Sequence, residues 1–203
     1  MIGIINYGLG NIKAFANVYK NLNIPIRLVS NVEELEQVDK IILPGVGDFD
    51  DAMMLLDKSG MRKRLDELVM DEKMPVIGIC VGMQILAKSS EEGTLPGLGW
   101  INAHVKKFES TDLINMPVPH MGWNDVQPVA KSDLLTGLEN DAKFYFLHSY
   151  YFDCENKEEA IAVTHYGKQF DSIVCSGNIF GVQCHPEKSH KYGITLLKNF
   201  ANL

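Results

Sequence analysis

The segment Pro75-Val76-Ile77-Gly78-Ile79-Cys80-Val81-Gly82-Met83-Gln84 constrains the fold more than any other part of the chain. Its first half is short, apolar and β-branched, the composition of a central strand buried on both faces. Gly82 breaks that run, and residues 83–88 are good helix formers. The pattern is a strand entering a helix through a sharp turn with a cysteine at the bend. The two glycines flanking Cys80 remove side chains where strand and helix approach each other. A helix N-terminus beside the sulfur would favour its thiolate. Taken alone, the pattern fits a buried structural cysteine at a strand end equally well.

The flanking sequence supports an alternating fold. Residues 2–6 read as a first strand, and Ile12, Phe15, Tyr19 and Leu22 recur at helical spacing. Residues 24–29 and 40–43 read as further strands, the latter stopped by Pro44-Gly45-Val46-Gly47. Met61, Leu65, Leu68 and Val69 mark another helix face before the elbow strand. This order predicts a parallel sheet with helices on both sides. The second half changes character, with strands expected at 100–108, 143–147, 160–164, 172–175 and 179–183 and a hairpin turn at Gly177-Asn178. A final amphipathic helix is expected to bury Ile194, Leu197 and Phe200. No linker, repeat or low-complexity segment interrupts the chain. The expectation is one α/β domain over residues 1–203, with a mixed, mostly parallel central sheet flanked by helices and antiparallel strands in its C-terminal half.

Composition removes several function classes. The formal net charge is −7, and no basic cluster exceeds Arg62-Lys63-Arg64, which argues against nucleic acid as the main partner. No apolar run reaches the length of a membrane span, and the N-terminus reads as a strand with no basic region before it. The four cysteines, at 80, 154, 175 and 184, form no Cys-x-x-Cys pair. Reduced thiols and a cytoplasmic location are expected, with Cys154 and Cys175 inert. Gly8-Leu9-Gly10 fails as a dinucleotide fingerprint, because Lys13 stands where the third glycine belongs. His120, His148, His165, Cys184, His185 and His190 lack zinc-site spacing, so no metal or other cofactor is expected.

A second motif changes the weight of the first. Gly181-Val182-Gln183-Cys184-His185-Pro186-Glu187-Lys188-Ser189 ends a strand and places a histidine and a carboxylate on a turn stiffened by proline. A cysteine nucleophile needs a base, and the base needs an orienting acceptor. An isolated His-Pro-Glu turn is compatible with an incidental surface histidine. Downstream of a Gly-x-Cys-x-Gly elbow it reads as the rest of a Cys80–His185–Glu187 unit.

On these two motifs the chain resembles the class I, triad-type glutamine amidotransferases over essentially its whole length. The closer resemblance is to the glutaminase subunits of imidazole glycerol phosphate synthase. It rests on Asn6-Tyr7-Gly8-Leu9-Gly10-Asn11-Ile12, Pro44-Gly45-Val46-Gly47, Pro119-His120-Met121-Gly122-Trp123-Asn124, Leu147-His148-Ser149-Tyr150 and His185-Pro186-Glu187-Lys188-Ser189. Two positions depart from that family's usual pattern: Val81 replaces leucine and Cys184 replaces phenylalanine.

The resemblance implies that Cys80 attacks the glutamine carboxamide, His185 moves the proton and Glu187 orients the imidazole. It also implies an oxyanion hole from the Val81 N–H and the turn at Val46 and Gly47. Gln84, Glu92, Ser149 and Tyr150 would line the glutamine site, with Glu92 pairing the α-amino group. A (β/α)8-barrel cyclase would be the partner, docked through the loop at residues 7–11, with Asn11 at its end, and through Trp123 and Lys188. Three other readings remain open on sequence. One is a glutaminase serving a sugar amidotransferase of surface-polysaccharide assembly. The others are a non-catalytic binding module of the same fold and a cysteine hydrolase of another amide.

Overall fold

The computed structural model describes residues 1–109, 111, 113 and 116–203. The first half runs β1 (Ile2–Ile5), α1 (Ile12–Asn21), β2 (Ile26–Val29), α2 (Val32–Leu35), β3 (Lys40–Gly45), α3 (Phe49–Lys58), α4 (Arg62–Asp66), β4 (Val76–Cys80) and α5 (Val81–Gln84). A π-helical turn, Glu67–Asp71, extends α4. The second half runs β5 (Ser89–Ser90), β6 (Ala103–Lys107), β7 (His120–Asp125), β8 (Gln127–Pro128), β9 (Lys143–His148), β10 (Tyr150–Cys154), β11 (Ala160–Tyr166), β12 (Lys168–Ser176), β13 (Ile179–Val182) and α6 (His190–Asn202).

The main sheet has the order β2-β1-β3-β4-β13-β12-β10-β6-β5, with β11 paired to β12 and β8. From β2 to β13 every pairing is parallel. Beyond β13 the sheet turns antiparallel through β12, β10 and β6. A separate antiparallel pair, β7 with β9, stands apart from it. The α/β expectation and its antiparallel second half therefore match the architecture. Every residue of β1 and β4 is buried, as central strands covered by helices require. Parallel pairing has one consequence for function. The carboxyl ends of β1, β3, β4 and β13 open on the same edge, where ligands of such sheets gather. In register, Gly45 lies beside Cys80 and Val182 beside Ile79.

Three expectations about element boundaries need correction. The helix expected over 83–88 ends at Gln84, after a single turn. The carbonyls of Ile85, Leu86, Ala87 and Lys88 instead accept the N–H groups of Leu98, Ile101, Gly99 and Gly97. A tertiary loop thus replaces the next helical turn, and Ser89–Ser90 leaves as a strand beside β6. The strand expected from Trp100 begins only at Ala103, because the Trp100 indole donates to Asp66 Oδ1 at 2.7 Å and holds that stretch against α4. In α6, Leu197 and Phe200 are buried as expected, but Ile194 is 42% exposed. The helix is rotated so that Gly193, not Ile194, faces inward; a Cβ on Gly193 would overlap the Pro186 carbonyl.

Candidate active site

The elbow is built as its glycines imply. Cys80 ends β4 with φ +56° and ψ −115°. An L residue held there costs on the order of 1–3 kcal/mol, and surrounding packing must impose it. A Cβ on Gly82 would penetrate the Leu43 carbonyl, and one on Gly78 would meet the Gly82 backbone. Only glycine lets α5 lie this close to β3 and β4. The strained turn projects the Cys80 side chain off the strand end, beyond the plane of the sheet.

That side chain lines a cavity of about 300 Å³, together with Val46, Gly47, Val81, Gln84, Glu92, His148, Ser149, Tyr150, His185 and Lys188. Residues distant in sequence meet here because they follow parallel strands. Val46 and Gly47 follow β3, Cys80 closes β4, and His185 follows β13. Ser149, which joins β9 of the small sheet to β10 of the main sheet, completes the wall with Leu147, His148 and Tyr150. His185 is buried, and its Nδ1 lies 3.0 Å from Glu187 Oε1. Burial disfavours the imidazolium, but hydrogen bonding to Cys80 and then to Glu187 outweighs it and raises His185 to about 9. A base so held takes a thiol proton readily and keeps its cation beside a thiolate.

The remaining sequence candidates fall into two groups. Gln84 is buried, and its Nε2 donates to the Tyr150 carbonyl at 3.2 Å. Glu92 is half-buried, with Oε2 accepting the Phe49 N–H at 3.0 Å where α3 begins. Burial raises its carboxyl most; the Phe49 N–H lowers it, and Asp48 and Asp50 raise it further. It is therefore fixed at the cavity wall and is not a freely solvated charge. Asn11, Trp123 and Lys188 lie at the surface. Trp123 is 48% exposed, stacks on His190 with ring centroids 5.3 Å apart, and neighbours Met121, which is 63% exposed. The Lys188 ammonium lies 5.5 Å above the Tyr145 ring. Val46 and Leu147, which line the cavity, carry exposed apolar surface, as do Met121, opposite Leu147 in register, and Trp123 on the same face of β7. Cys154 and Cys175 stand away from the cavity. Burial pushes both thiols up, which leaves them poor nucleophiles at neutral pH.

Four residues given no catalytic or substrate-binding role on sequence take part in the site: Tyr7, His120, His148 and Gln183. Tyr7 is buried and donates to the Pro44 carbonyl at 2.7 Å, tying the loop after β1 to the turn after β3. His148 Nδ1 donates to the Tyr150 carbonyl at 2.7 Å, and its Nε2 lies 2.9 Å from His120 Nδ1. The carbonyl can only accept, so the neutral His148 carries its proton on Nδ1 and His120 must donate to its Nε2. His120 Nε2 in turn accepts from Asn124 Nδ2 at 3.1 Å. The signal was present in the alternation of residues 120–125. His120, Gly122 and Asn124 face one way, and Met121 and Trp123 the other.

Burial lowers His120 to about 4, and burial together with His120 lowers His148 to about 3. The unfolded chain binds these protons below about pH 6.5, whereas the fold does not. The unfolded state then holds more protons, so stability falls as pH drops from 6.5 toward 4. The melting temperature should therefore decline from pH 7 to pH 5, and more shallowly in His120→Phe. Equal slopes in the two proteins would remove the histidine pair as the cause.

Known proteins of one family resemble this chain over its whole length. The family model for glutamine amidotransferase class-I matches residues 3–202. The chain is 55% identical over 204 residues to the imidazole glycerol phosphate synthase subunit HisH of Bdellovibrio bacteriovorus, covering 100% of both chains. It is 54% identical over 206 residues to that of Leptospira interrogans, again covering 100% of both. Against subunit HisH 2 of Pseudomonas aeruginosa it is 44% identical over 203 residues, covering 100% of both. The solved structure of PurLQS from Thermotoga maritima shares the fold, with a TM-score of 0.76 at 16% identity over 99% of this chain and 97% of that one. A second solved structure, a glutamine amidotransferase, gives a TM-score of 0.75 at 20% identity over 100% of this chain and 99% of that one. The chain belongs to the class-I glutamine amidotransferases and, within them, to the family of imidazole glycerol phosphate synthase HisH subunits.

Proposed function

We propose that the chain hydrolyses glutamine at Cys80 and hands the ammonia to a cyclase partner, as the glutaminase subunit of an imidazole glycerol phosphate synthase in histidine biosynthesis. The carrying observation is the single cavity in which Cys80, His185, Gln84 and Glu92 converge. His185 takes the thiol proton, and the sulfur attacks the carboxamide carbon. The tetrahedral oxyanion is met by the Val81 N–H and by the peptide between Val46 and Gly47. Collapse expels ammonia with the proton from His185 and leaves a thioester, which water converts to glutamate and free thiol. Glu187 holds the imidazole in its working tautomer. Gln84, Ser149 and Tyr150 flank the side chain of the substrate, and Glu92 meets its α-ammonium.

Residues 1–203 act as one domain in this reading. The cavity mouth faces the partner, a (β/α)8 barrel, through Asn11, Trp123 and Lys188, with Met121 and Leu147 completing an apolar rim. Among the described residues no helix is long and apolar enough to cross a membrane, and we place the enzyme in the cytoplasm. The test is inactivation by 6-diazo-5-oxo-L-norleucine, a glutamine-like electrophile, followed by peptide mapping. The adduct should sit on Cys80, and glutamine should protect it. Modification elsewhere, or no protection, would reject the site. Glu92→Gln should raise the KM for glutamine about tenfold, the order of one charge-assisted contact, with kcat little changed.

A further inference from the structure

Gln183 is fully buried, lies outside the cavity lining, and is not used by the chemistry above. Its Nε2 lies 4.0 Å from Cys80 Sγ, and its Oε1 accepts from Gln84 Nε2 at 3.1 Å. The orientation of both amides follows from fixed ends. Gln84 also contacts the Tyr150 carbonyl, which can only accept, so the Gln84 amide nitrogen must face it. That nitrogen also faces Gln183, so Gln183 must present oxygen to Gln84 and nitrogen to the sulfur. The reverse orientation would oppose donor to donor at Gln84. The Tyr150 carbonyl is itself held by His148 Nδ1, and His148 by His120. A continuous hydrogen-bond chain therefore runs from β7, whose other face carries Met121 and Trp123, to the nucleophile.

We infer that Gln183 is a fixed amide donor to the Cys80 sulfur, which stabilises the thiolate before glutamine arrives. The other groups near Sγ leave room for such a donor. The Leu147 carbonyl lies 3.9 Å away and accepts from the thiol, so it favours the protonated form. The helix after the elbow is a single turn, which leaves little helix field at the sulfur. The Gln183 N–H is the neutral donor that opposes the carbonyl and does not leave with the proton, unlike His185. Gln183 is buried outside the cavity lining and touches the site only through Sγ and Gln84, so a variant that keeps the acceptor for Gln84 should act on the sulfur and not on substrate binding.

The inference rests on Cys80 as the nucleophile, and the experiment separates the two claims. Gln183→Glu keeps an acceptor for Gln84 and turns a carboxylate, which repels a thiolate, toward the sulfur in place of the donor. Gln183→Met removes the donor with an apolar side chain of similar length. In both variants kcat for glutamine should fall about tenfold or more, the order of one hydrogen bond to a charged group, and in Gln183→Glu, which keeps the acceptor for Gln84, KM should stay within about threefold. Alkylation of Cys80 by iodoacetamide should slow by a similar factor at pH 7. For Gln183→Met the deficit should close near pH 10, where thiols ionise without help. His185, Cys184 and Tyr7, the Glu187 bonded to His185, and Glu92, His148 and Lys188, which line the cavity with the sulfur, are unchanged in these variants. Wild-type alkylation rate and kcat in either folded variant would overturn the inference, and the neutral Gln183→Leu takes the place of Gln183→Met if the latter does not fold. Failure of the underlying reading looks different: wild-type chain alkylated at Cys80 would still hydrolyse glutamine.

Discussion

Cys80→Ala should abolish glutamine hydrolysis, a loss of about 10⁴-fold or more, while the fold and partner binding survive. The reasoning is that a covalent route has no second nucleophile to use. The other cysteines of the described structure are buried or half-buried, with thiols pushed up by burial. His185→Ala should cost nearly as much, because the thiol then has no base within reach. The double variant should be little worse than either single one, since both remove the same step. Glu187→Gln should cost less. An amide oxygen still accepts the Nδ1–H held at 3.0 Å, while the charge that favours the imidazolium is lost. Glutamate release measured for the four proteins tests this directly. Losses that multiply independently would show that Cys80 and His185 do not act as one unit. Cys154→Ser and Cys175→Ser should be nearly silent.

Much of this site was legible because it is written in residues with narrow backbone tolerance. Gly78, Cys80 and Gly82 announce a close strand–helix approach that few other residue sets permit, and the glycine contacts bear that out. The β-α-β alternation likewise carried the parallel half of the sheet, since apolar continuity and helical spacing are local properties. What remained illegible depends on contacts between distant segments. The helix after Gln84 stops because a loop at 97–101 captures its carbonyls, which no propensity at 85–88 could reveal. Ile194 lost its expected place because Pro186 demands a glycine at 193. Gln183 closes the strand read at 179–183, and only the packing of β4 and α5 sets Cys80 and Gln84 against its amide. His120 and His148 lie 28 residues apart and meet only through the register of β7 with β9. Sequence supplies the reactive groups; the sheet order decides which neutral amides and imidazoles orient them.

The second large effect expected is activation by the partner. The isolated chain should be a weak glutaminase, and glutamate release should rise at least about 100-fold when partner and acceptor ligand bind. The physical lever is the turn after β3. One side of it is fixed, because the Tyr7 hydroxyl holds the Pro44 carbonyl and a Cβ on Gly10 would overlap the Pro44 ring. The other side is fixed by Asp48, whose carboxylate caps the first turn of α3 through the Asp51 N–H. Between these anchors Gly47 has φ +90° with open space where a side chain would be, and Val46 is exposed at the cavity mouth. On the proposed mechanism, rotation of the Val46–Gly47 peptide would aim an N–H at the oxyanion, and the glycine at 47 leaves that rotation sterically open. A partner pressing on the loop after β1 would reach this turn through Tyr7 and Gly10. One oxyanion donor is worth about 2.7–4 kcal/mol, or roughly 100- to 1000-fold in rate. Steady-state glutamate release by the purified chain, with and without partner and acceptor ligand, measures the effect. Full turnover by the isolated chain would show the oxyanion hole already formed and leave nothing for the partner to complete. An activated rate that disappears when Tyr7→Phe frees Pro44, with the complex still assembled, would locate the coupling in that single hydrogen bond.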